Sequence, residues 1–491
     1  MGSKTYGPWK GVDLRDLEDS ADPKTVRTAT NVDLATNGTF EERGGLRRVT
    51  TVDADSRGLY SVGGWLRCAI AAGHSKPASI QATVPILYDA LGDGTIYGVT
   101  TIDKVTSVTS WDADGAAGVY PAIVIKRTAA AGGLHEIHWI KDTPVPASVG
   151  GPPPYVPSTD TVTTKVALPF TPGSTIIKIQ EKVVAIDNLN GAIRFCSTVN
   201  GITDWTTEAD AGFLPVIKHA TGDRTLQGLS FYDDLMAVMF SDSIQLWQMH
   251  PDPAQHRLVR VLNGPGVQAP GSVVNVKGDL FYFSRGTFSS LSRSANDGQL
   301  VDGDIGAPIT PDTTLLTADP LGLWSQGSSA YFCFFGATVW RYMHSPSSKL
   351  FGWTKYELPV TVDAAVEHLG KIYVRAGADI YRFEKGYADG STFTVESQAL
   401  TLGTPGKWKD IPTMDVTLQG TAAVKCLPDM RDNSVVDHLF TLNKSSAGLT
   451  DLPVLENSEA PAFRFTGALG GDTPFKLHRF SVHYAPGIAP I

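Results

Sequence analysis

Apolar and polar positions alternate along most of this chain in short runs separated by tight polar turns. The clearest unit is Leu229-Ser-Phe-Tyr232, a turn at Asp233-Asp234, Leu235-Met-Ala-Val-Met-Phe240, a turn at Ser241-Asp-Ser243, then Ile244-Gln-Leu-Trp247. Runs this short, bounded by Gly, Asp, Asn and Ser, predict strands joined as antiparallel meanders. The same unit recurs at Ile176 to Cys196, with turns at Glu181-Lys182 and Asn188 to Gly191. It recurs at Ser272 to Leu291, with turns at Lys277-Gly-Asp279 and Arg285-Gly-Thr287, and at Leu323 to Tyr342, with turns at Gly327-Ser-Ser329 and Gly336-Ala337. A last copy runs from Ala364 to Phe383, turning at Gly370-Lys371 and Gly377-Ala-Asp379.

Successive copies begin 53, 43, 51 and 41 residues apart. Propeller blades of four strands repeat every ~40–50 residues. A single meander cannot bury both its faces, and radial stacking does that while leaving only short edges. The expected fold is therefore all-β, a β-propeller over residues 51–391; a long β-sandwich is the competing architecture. Leu59 to Ala72 is one more strand–Gly63-Gly64–strand copy, and strands are expected over Thr83–Tyr88, Thr95–Thr101, Val119–Lys126 and Leu134–Ile140. That gives six or seven blades.

Three stretches break the pattern. Residues 1–50 form a polar, turn-rich N-terminal arm with too few apolar residues to fold alone, so it must pack on the propeller or on a neighbouring subunit. In it, Asp22-Pro23 predicts a capped turn of helix, and Asn37-Gly38 predicts a hairpin between Val32-Asp-Leu34 and Thr39-Phe-Glu41. Residues 144–157 are rich in proline and favour extended polyproline geometry, as a reach to a neighbour or as a surface loop. After a boundary near Gly386 to Ser391, alternation over Phe393–Leu402, Thr413–Leu418, Ala422–Leu427, Val435–Leu442, Ala462–Ala468 and Phe475–Tyr484 predicts a C-terminal β-sandwich, residues 392–491.

The 491 residues include 49 Gly and 31 Pro, which suits many tight turns. A net charge of −9 is the wrong sign for a general nucleic-acid binder. No apolar run is long enough to span a membrane, and no secretory leader is visible at Met1 to Pro8. Cys68, Cys196, Cys333 and Cys426 are widely spaced, without a CxxC pair, and read as small buried hydrophobes. His135-Glu-Ile-His138 places its histidines on opposite faces of a strand, so it reads as two strand histidines and not as a metal pair. Asp112-Ala-Asp-Gly115 lacks the later ligands of a calcium loop, and Asn296-Asp-Gly298 and Asp302-Gly-Asp304 likewise read as turns. Ser197 to Trp205 approaches a sialidase-type Asp-box, but Val199 stands at its Asp position, so a turn with a packed Trp is expected. No nucleophile elbow or phosphate loop is present. The chain is read as non-enzymatic, with no catalytic residues, metal or cofactor.

Several stretches do resemble a known family. Gly11-Val-Asp-Leu-Arg-Asp16, Asp22-Pro23, Asn31-Val-Asp33, Asn37-Gly38 and Glu42-Arg-Gly-Gly-Leu46 open the chain. Thr203-Asp-Trp205, Ala209 to Gly212, Leu226 to Trp247, His250-Pro-Asp-Pro253, Gly264-Pro-Gly266, Ala269 to Val274, Gly352-Trp-Thr-Lys-Tyr356 and Leu358-Pro359 follow in order. Together they resemble the tail hub, or nozzle, proteins of short-tailed bacteriophages, including the packaged-DNA stabilisation proteins. The resemblance implies a structural virion protein in the tail, assembled in the host bacterial cytoplasm. Its implied state is a homohexameric ring beneath a head-to-tail adaptor, carrying tail fibres or tailspikes. Double-stranded DNA would pass through without specific binding. Under that reading, interface candidates are Trp9, Asp13, Arg15, Asp16, Asp22, Arg43, Arg47 and Arg48 of the arm, with Pro152, Pro153, Pro154 and Tyr155 of the proline-rich stretch. The alternative is a carbohydrate-binding or depolymerising tail propeller, with aromatic residues as sugar platforms.

Overall fold

In the computed structural model, residues 2–487 are described except 16–21, 23, 53–55, 63, 72–85, 92–101, 113–118, 130–131, 141–160, 200, 207–209, 264–265, 293–303, 401, 403–406 and 429–436. The proline-rich stretch, Asp16 and the strand expected over 95–101 therefore lie outside the described residues. The arm supplies β1 (Gly2–Tyr6), β2 (Val26–Thr30), β3 (Val32–Leu34), β4 (Phe40–Glu42) and β5 (Gly45–Thr51). Next come β6 (Arg57–Val62), β7 (Trp65–Ala71), β8 (Ile86–Leu91), β9 (Ile102–Asp112), β10 (Val119–Arg127), β11 (His135–Ile140) and β12 (Thr161–Lys165).

The repeated units follow as three separate sheets and a fourth meander that continues into a larger sheet. One contains β13 (Pro172–Ile179), β14 (Lys182–Asp187), β15 (Ala192–Phe195) and β16 (Gly212–Leu214). The next contains β17 (Leu226–Tyr232), β18 (Leu235–Phe240), β19 (Ser243–Gln248) and β20 (Arg257–Asn263). The third has three strands, β21 (Val274–Val276), β22 (Asp279–Ser284) and β23 (Thr287–Ser290). The fourth meander is β24 (Leu321–Ser325), β25 (Ala330–Phe335), β26 (Thr338–Ser345) and β27 (Leu350–Glu357).

The last unit, β28 (Ala364–His368), β29 (Lys371–Ala376) and β30 (Asp379–Glu384), takes its outer strand from the arm: β5 pairs with β30 antiparallel, Leu46 opposite Phe383. Turn chemistry explains the registers. Gln180-Glu181, Lys277-Gly278, Arg285-Gly286 and Leu369-Gly370 each have two consecutive positive φ values. That geometry matches the right-handed twist of a two-residue hairpin.

Alternate residues of one strand pack against different neighbours, the signature of radial stacking. Met236, Val238 and Phe240 join Ile177, Val184 and Ile186, whereas Ala237 and Met239 join Leu280 and Tyr282 on the other side. Phe332 and Phe334 meet Ile372 and Val374, while Tyr331, Cys333 and Phe335 meet Phe281 and Phe283. The cycle closes where Tyr373 and Ile380 pack with Leu59, Leu66 and Cys68. The fold is a β-propeller, as the repeat predicts.

The blade count differs from six or seven. Five blades stand as separate meanders, and the remaining arc is one seven-stranded sheet ordered β6-β7-β8-β12-β11-β10-β9. It is continuous because β8 pairs parallel with both β7 and β12, a long-range join that no local turn signal encodes.

The sandwich expected over 392–491 is not what the C-terminal strands form. They are β31 (Thr392–Ser397), β32 (Lys409–Leu427), β33 (Asp437–Ser458), β34 (Ala462–Ala468) and β35 (Lys476–Pro486). These join the arm in one sheet, through the order β27-β2-β31-β34-β32-β35-β4-β3, with β1 on β35 and β33 on β32. The sheet curls until β3 lies against β27 and β31, enclosing Val32, Phe40, Met414, Val424, Phe465 and Phe480. The arm supplies strands that a two-sheet domain would have needed from its own sequence. Two expected strands, 413–418 and 422–427, are a single one: Gly420 at φ +88° sits at a register irregularity within β32 and does not end it.

The Asn37-Gly38 hairpin forms as expected, Asn37 Oδ1 accepting from the Thr39 amide at 3.1 Å. Asp22 caps a turn, its carboxylate accepting from the Lys24 amide at 2.9 Å, and no helix is described there. All four cysteines are buried and none forms a disulfide. Trp205 is the packed Trp, its Nε1 donating to Ile202 O at 2.7 Å and its ring edge-on to Phe170.

Candidate functional site: the arm junction and the propeller channel

Two places concentrate polar side chains where separate parts of the chain meet. The first is where the arm crosses the β24–β27 blade. Lys10 to Val12 runs backbone against backbone over Gly352-Trp353: the Val12 amide donates to Trp353 O at 2.9 Å. A Cβ on Gly352 would stand 2.0 Å from Lys10 O. Trp353 is held from behind by Tyr342 and Phe288, and its Nε1 donates to Ile305 O at 2.7 Å. Gly352→Ala is expected to cost about 2–3 kcal/mol, since the clash is with main chain that has nowhere to move. Limited proteolysis should then cut the arm before the propeller; a variant with wild-type melting and digestion would refute this close crossing.

Further along the arm lies a buried polar cluster. The Tyr356 hydroxyl donates to Asp33, and the Arg341 Nε lies 3.3 Å from the same carboxylate. Burial, with the Asp33 charge beside it, raises the Tyr356 phenol well above its ordinary value. Arg43 is enclosed: Nε donates to Asn31 Oδ1 at 2.9 Å, Nη1 to Asp389 Oδ2 at 2.9 Å and Nη2 to Ser391 Oγ at 3.1 Å. Asn31 Oδ1 also accepts from the Glu357 amide at 2.9 Å, while its Nδ2 donates to Thr392 O at 2.7 Å. Glu42 accepts from the Phe475 and Gly470 amides, and burial raises its pKa. Glu41 sits between Lys476 and Lys385; burial opposes its ionisation, but the two ammonium groups prevail and lower its pKa.

The candidate interface residues divide accordingly. Trp9, Asp13 and Arg43 are 1%, 6% and 1% exposed, buried within their own chain, and so do not form a free docking face. Trp9 packs between Phe40 and Phe480, and Asp13 is chelated by Arg15. The arm is woven into two sheets, so its large side chains serve as core. Arg15, Asp22, Arg47 and Arg48 keep substantial exposed surface, with Asp22 bound to Lys10 at 2.7 Å, Arg47 to Glu384 at 3.3 Å and Arg48 near Asp379 at 3.7 Å. Asp16, Pro152, Pro153, Pro154 and Tyr155 lie outside the described residues.

The second place is the propeller channel. Strands β6, β9, β13, β17, β24 and β28 border a cavity of about 1190 Å³. Its wall is rich in small hydroxyl and amide side chains, including Ser61, Ser107, Ser110, Thr175 and Gln227. Ser107 Oγ accepts from the Ile176 amide at 3.2 Å and donates to Ile176 O at 3.1 Å, joining β9 to β13. Two carboxylates line it among the described residues, Asp319 and Asp363. Asp319 is bound by Lys104 at 3.2 Å; Asp363 accepts from the Gly377 amide at 3.0 Å and lies 3.7 Å from Arg375. Burial raises the Asp363 pKa against the opposing pull of Arg375. No three His, Cys, Asp or Glu side chains gather as metal ligands among the described residues. His135 lines the channel while His138 is fully buried, its Nε2 3.1 Å from Glu136. Sequence reasoning missed Lys104, Lys126 and Asp389, because their significance depends on strand register and on contacts over more than a hundred residues.

No family model matches the chain, and no curated protein matches it. Among solved structures it is similar to BamB from Moraxella catarrhalis, at 11% identity over 57% of this chain and 82% of that one, TM-score 0.32. It is also similar to an exo-β-1,3-galactanase from Phanerochaete chrysosporium with galactose, at 10% identity over 77% of this chain and 95% of that one, TM-score 0.28. At these scores neither likeness carries an activity to this chain, and the fold assignment rests on the sheets themselves.

Proposed function

We propose that this chain is a structural protein of a bacteriophage tail, the hub or nozzle through which the genome leaves. The observation that carries this reading is the convergence of the motif residues. Gly11, Asn31, Asp33, Gly38 and Arg43 of the opening motifs, and Gly352, Trp353 and Tyr356 of the later one, resemble the family and lie more than 300 positions apart in sequence. Gly38 packs on Pro8 and Trp9; the others gather at two places along β27, Gly11 crossing Gly352-Trp353, and Asn31, Asp33 and Arg43 clustering by Tyr356 and Thr392, so that arm, propeller and C-terminal sheet are tied together. Motif residues that join distant parts of one chain suit an architectural part. A turnover enzyme would place its motif residues around an open pocket instead.

Under this reading the chain is a closed ring of six, heterologous contacts repeating until the rotation closes. The head-to-tail adaptor sits above it and fibres or spikes dock outside. The acidic balance suits a lumen that does not retain DNA phosphates. Among the described residues no helix is long and apolar enough to cross a membrane. The first experiment is native mass measurement with negative-stain imaging, with and without co-expressed adaptor. A ring of about six copies with a central hole is expected; a monomer that persists with adaptor present would overturn the proposal.

The channel favours one second reading, a carbohydrate-acting propeller, because its wall is open and hydroxyl-lined. Hydrolysis would need two facing carboxylates free to act as acid and base or nucleophile. Asp319 is largely exposed with only a weak pairing to Lys104, and Asp363 is held by the Gly377 amide beside Arg375, so the described lining shows no carboxylate pair set for that role, which favours the structural reading. Turnover of host-surface polysaccharide by the purified chain would reverse that order.

A further inference from the structure

Three basic side chains stand directly opposite one another across three adjacent strands. In register, Lys104 of β9 faces Lys126 of β10, and Lys126 faces His135 of β11. Paired residues on an antiparallel sheet project from the same face, and all three line the channel. Like charges placed opposite each other destabilise a sheet. The compensating carboxylates are peripheral. Asp319 reaches Lys104 at 3.2 Å from a position 91% exposed, and Asp103 reaches Lys126 at 3.7 Å and is about half exposed. Exposed pairs of this kind hold weakly and exchange readily with a competing anion. Beside the row the wall carries the hydroxyls of Thr109 and Ser110, while those of Thr106 and Ser107 donate to backbone carbonyls.

We propose that Lys104, Lys126 and His135 form an oxyanion-binding subsite in the propeller channel, taking the phosphate, sulfate or carboxylate group of a ligand whose remainder lies along the hydroxyl-lined wall. Lys104 and Lys126 supply fixed positive charge, and His135 donates through a ring nitrogen once protonated. Burial, with Lys126 and Lys104 beside it, lowers the His135 pKa, so the imidazole is mostly neutral in the empty channel at neutral pH. An anion bridging the row offsets that repulsion and raises it. Binding is therefore coupled to proton uptake and tightens as pH falls towards the ordinary histidine value. This subsite does not depend on the tail-hub proposal.

The test uses the whole chain with isotopically labelled histidine, the His135 resonance being assigned by its loss in His135→Asn. Phosphate, sulfate and glucuronate are titrated separately, with sodium chloride at matched ionic strength as the control. A saturable shift with a midpoint on the order of 1 mM, and a His135 pKa raised by roughly half a unit or more, are expected for at least one of them. The ranking among the three identifies whether the natural group is a phosphoryl, sulfuryl or sugar carboxylate. Lys126→Gln should raise the His135 pKa without any anion, because a like charge is gone, yet weaken anion binding at least tenfold. Lys104→Gln supplies the same comparison if Lys126→Gln melts early. Absence of saturation with all three anions overturns the proposal, as does a response undiminished in both folded variants.

Discussion

A chain that starts at Ser56, without the arm, is expected to aggregate and not to fold as a trimmed propeller. The arm is not an appendage. Deleting it removes β5, exposing the whole hydrogen-bonding edge of β30, and removes β1 to β4 from the curled sheet. It also strips Trp9, Val26, Val32, Phe40 and Leu46 from their cores. Each large apolar side chain contributes about 1.5–3 kcal/mol on burial. Together the five are worth about 7.5–15 kcal/mol, as much as the roughly 5–15 kcal/mol by which domains are stable at all. Circular dichroism and size-exclusion of the truncated chain are the check. A soluble monomer with a cooperative melt would overturn the structural role of the arm.

Arg43→Met should destabilise the protein by about 3–5 kcal/mol at neutral pH, because it leaves a buried carboxylate without its cation. In the wild type, burial opposes ionisation of Asp389, but the Leu46 amide, Arg43 and the Ser391 amide together hold its pKa below the usual aspartate value. A depressed folded pKa contributes stability above the unfolded value, near 4, that is lost as pH falls through the folded value. In Arg43→Met burial dominates and the sign reverses: the carboxyl is easiest to bury when protonated. The gap between wild type and variant is therefore widest at pH 7 and should narrow below about pH 4. Adding Asp389→Asn to Arg43→Met should recover part of the loss at pH 7. Urea denaturation at pH 7 and pH 4 measures both. A gap that ignores pH, or one under about 1 kcal/mol, would mean that the pair is not buried as described.

The repeated blades were legible because their instructions are local. Lys277-Gly278, Arg285-Gly286 and Leu369-Gly370 encode their own hairpins, and fully apolar runs such as Leu235 to Phe240 mark strands covered on both faces. What the sequence could not show is pairing over long separations. Gly45 to Thr51 reads as a polar arm because Arg47 and Arg48 are consecutive and both exposed. The reason is a register irregularity beside Val49, which spoils the alternation that would have identified a blade strand. Gly420 reads as a break between two strands, although it is a kink within one. At the site, Trp9, Asp13 and Arg43 stand out in the sequence as interface candidates, but their burial within the chain was not legible. Side chains that hold an arm inside its own chain are of the same types as those that hold it against a neighbour. The Lys104–Lys126–His135 row was invisible without strand register.

The position of β1 and β5 has a consequence for how the protein is made. Strands early in this sequence complete structures built from strands hundreds of residues later: Gly2–Tyr6 pairs with Phe480–Tyr484, and Gly45–Thr51 with Asp379–Glu384. At about 5–20 residues per second, β5 waits roughly 15–65 s for its partner and β1 roughly 25–95 s. Folding is accordingly slow at its decisive step, since the closing contacts join strands separated by more than 300 residues. Until closure, the outer edge of β30 stays open, and an incomplete chain carries a strand-pairing edge that another copy's arm can fill.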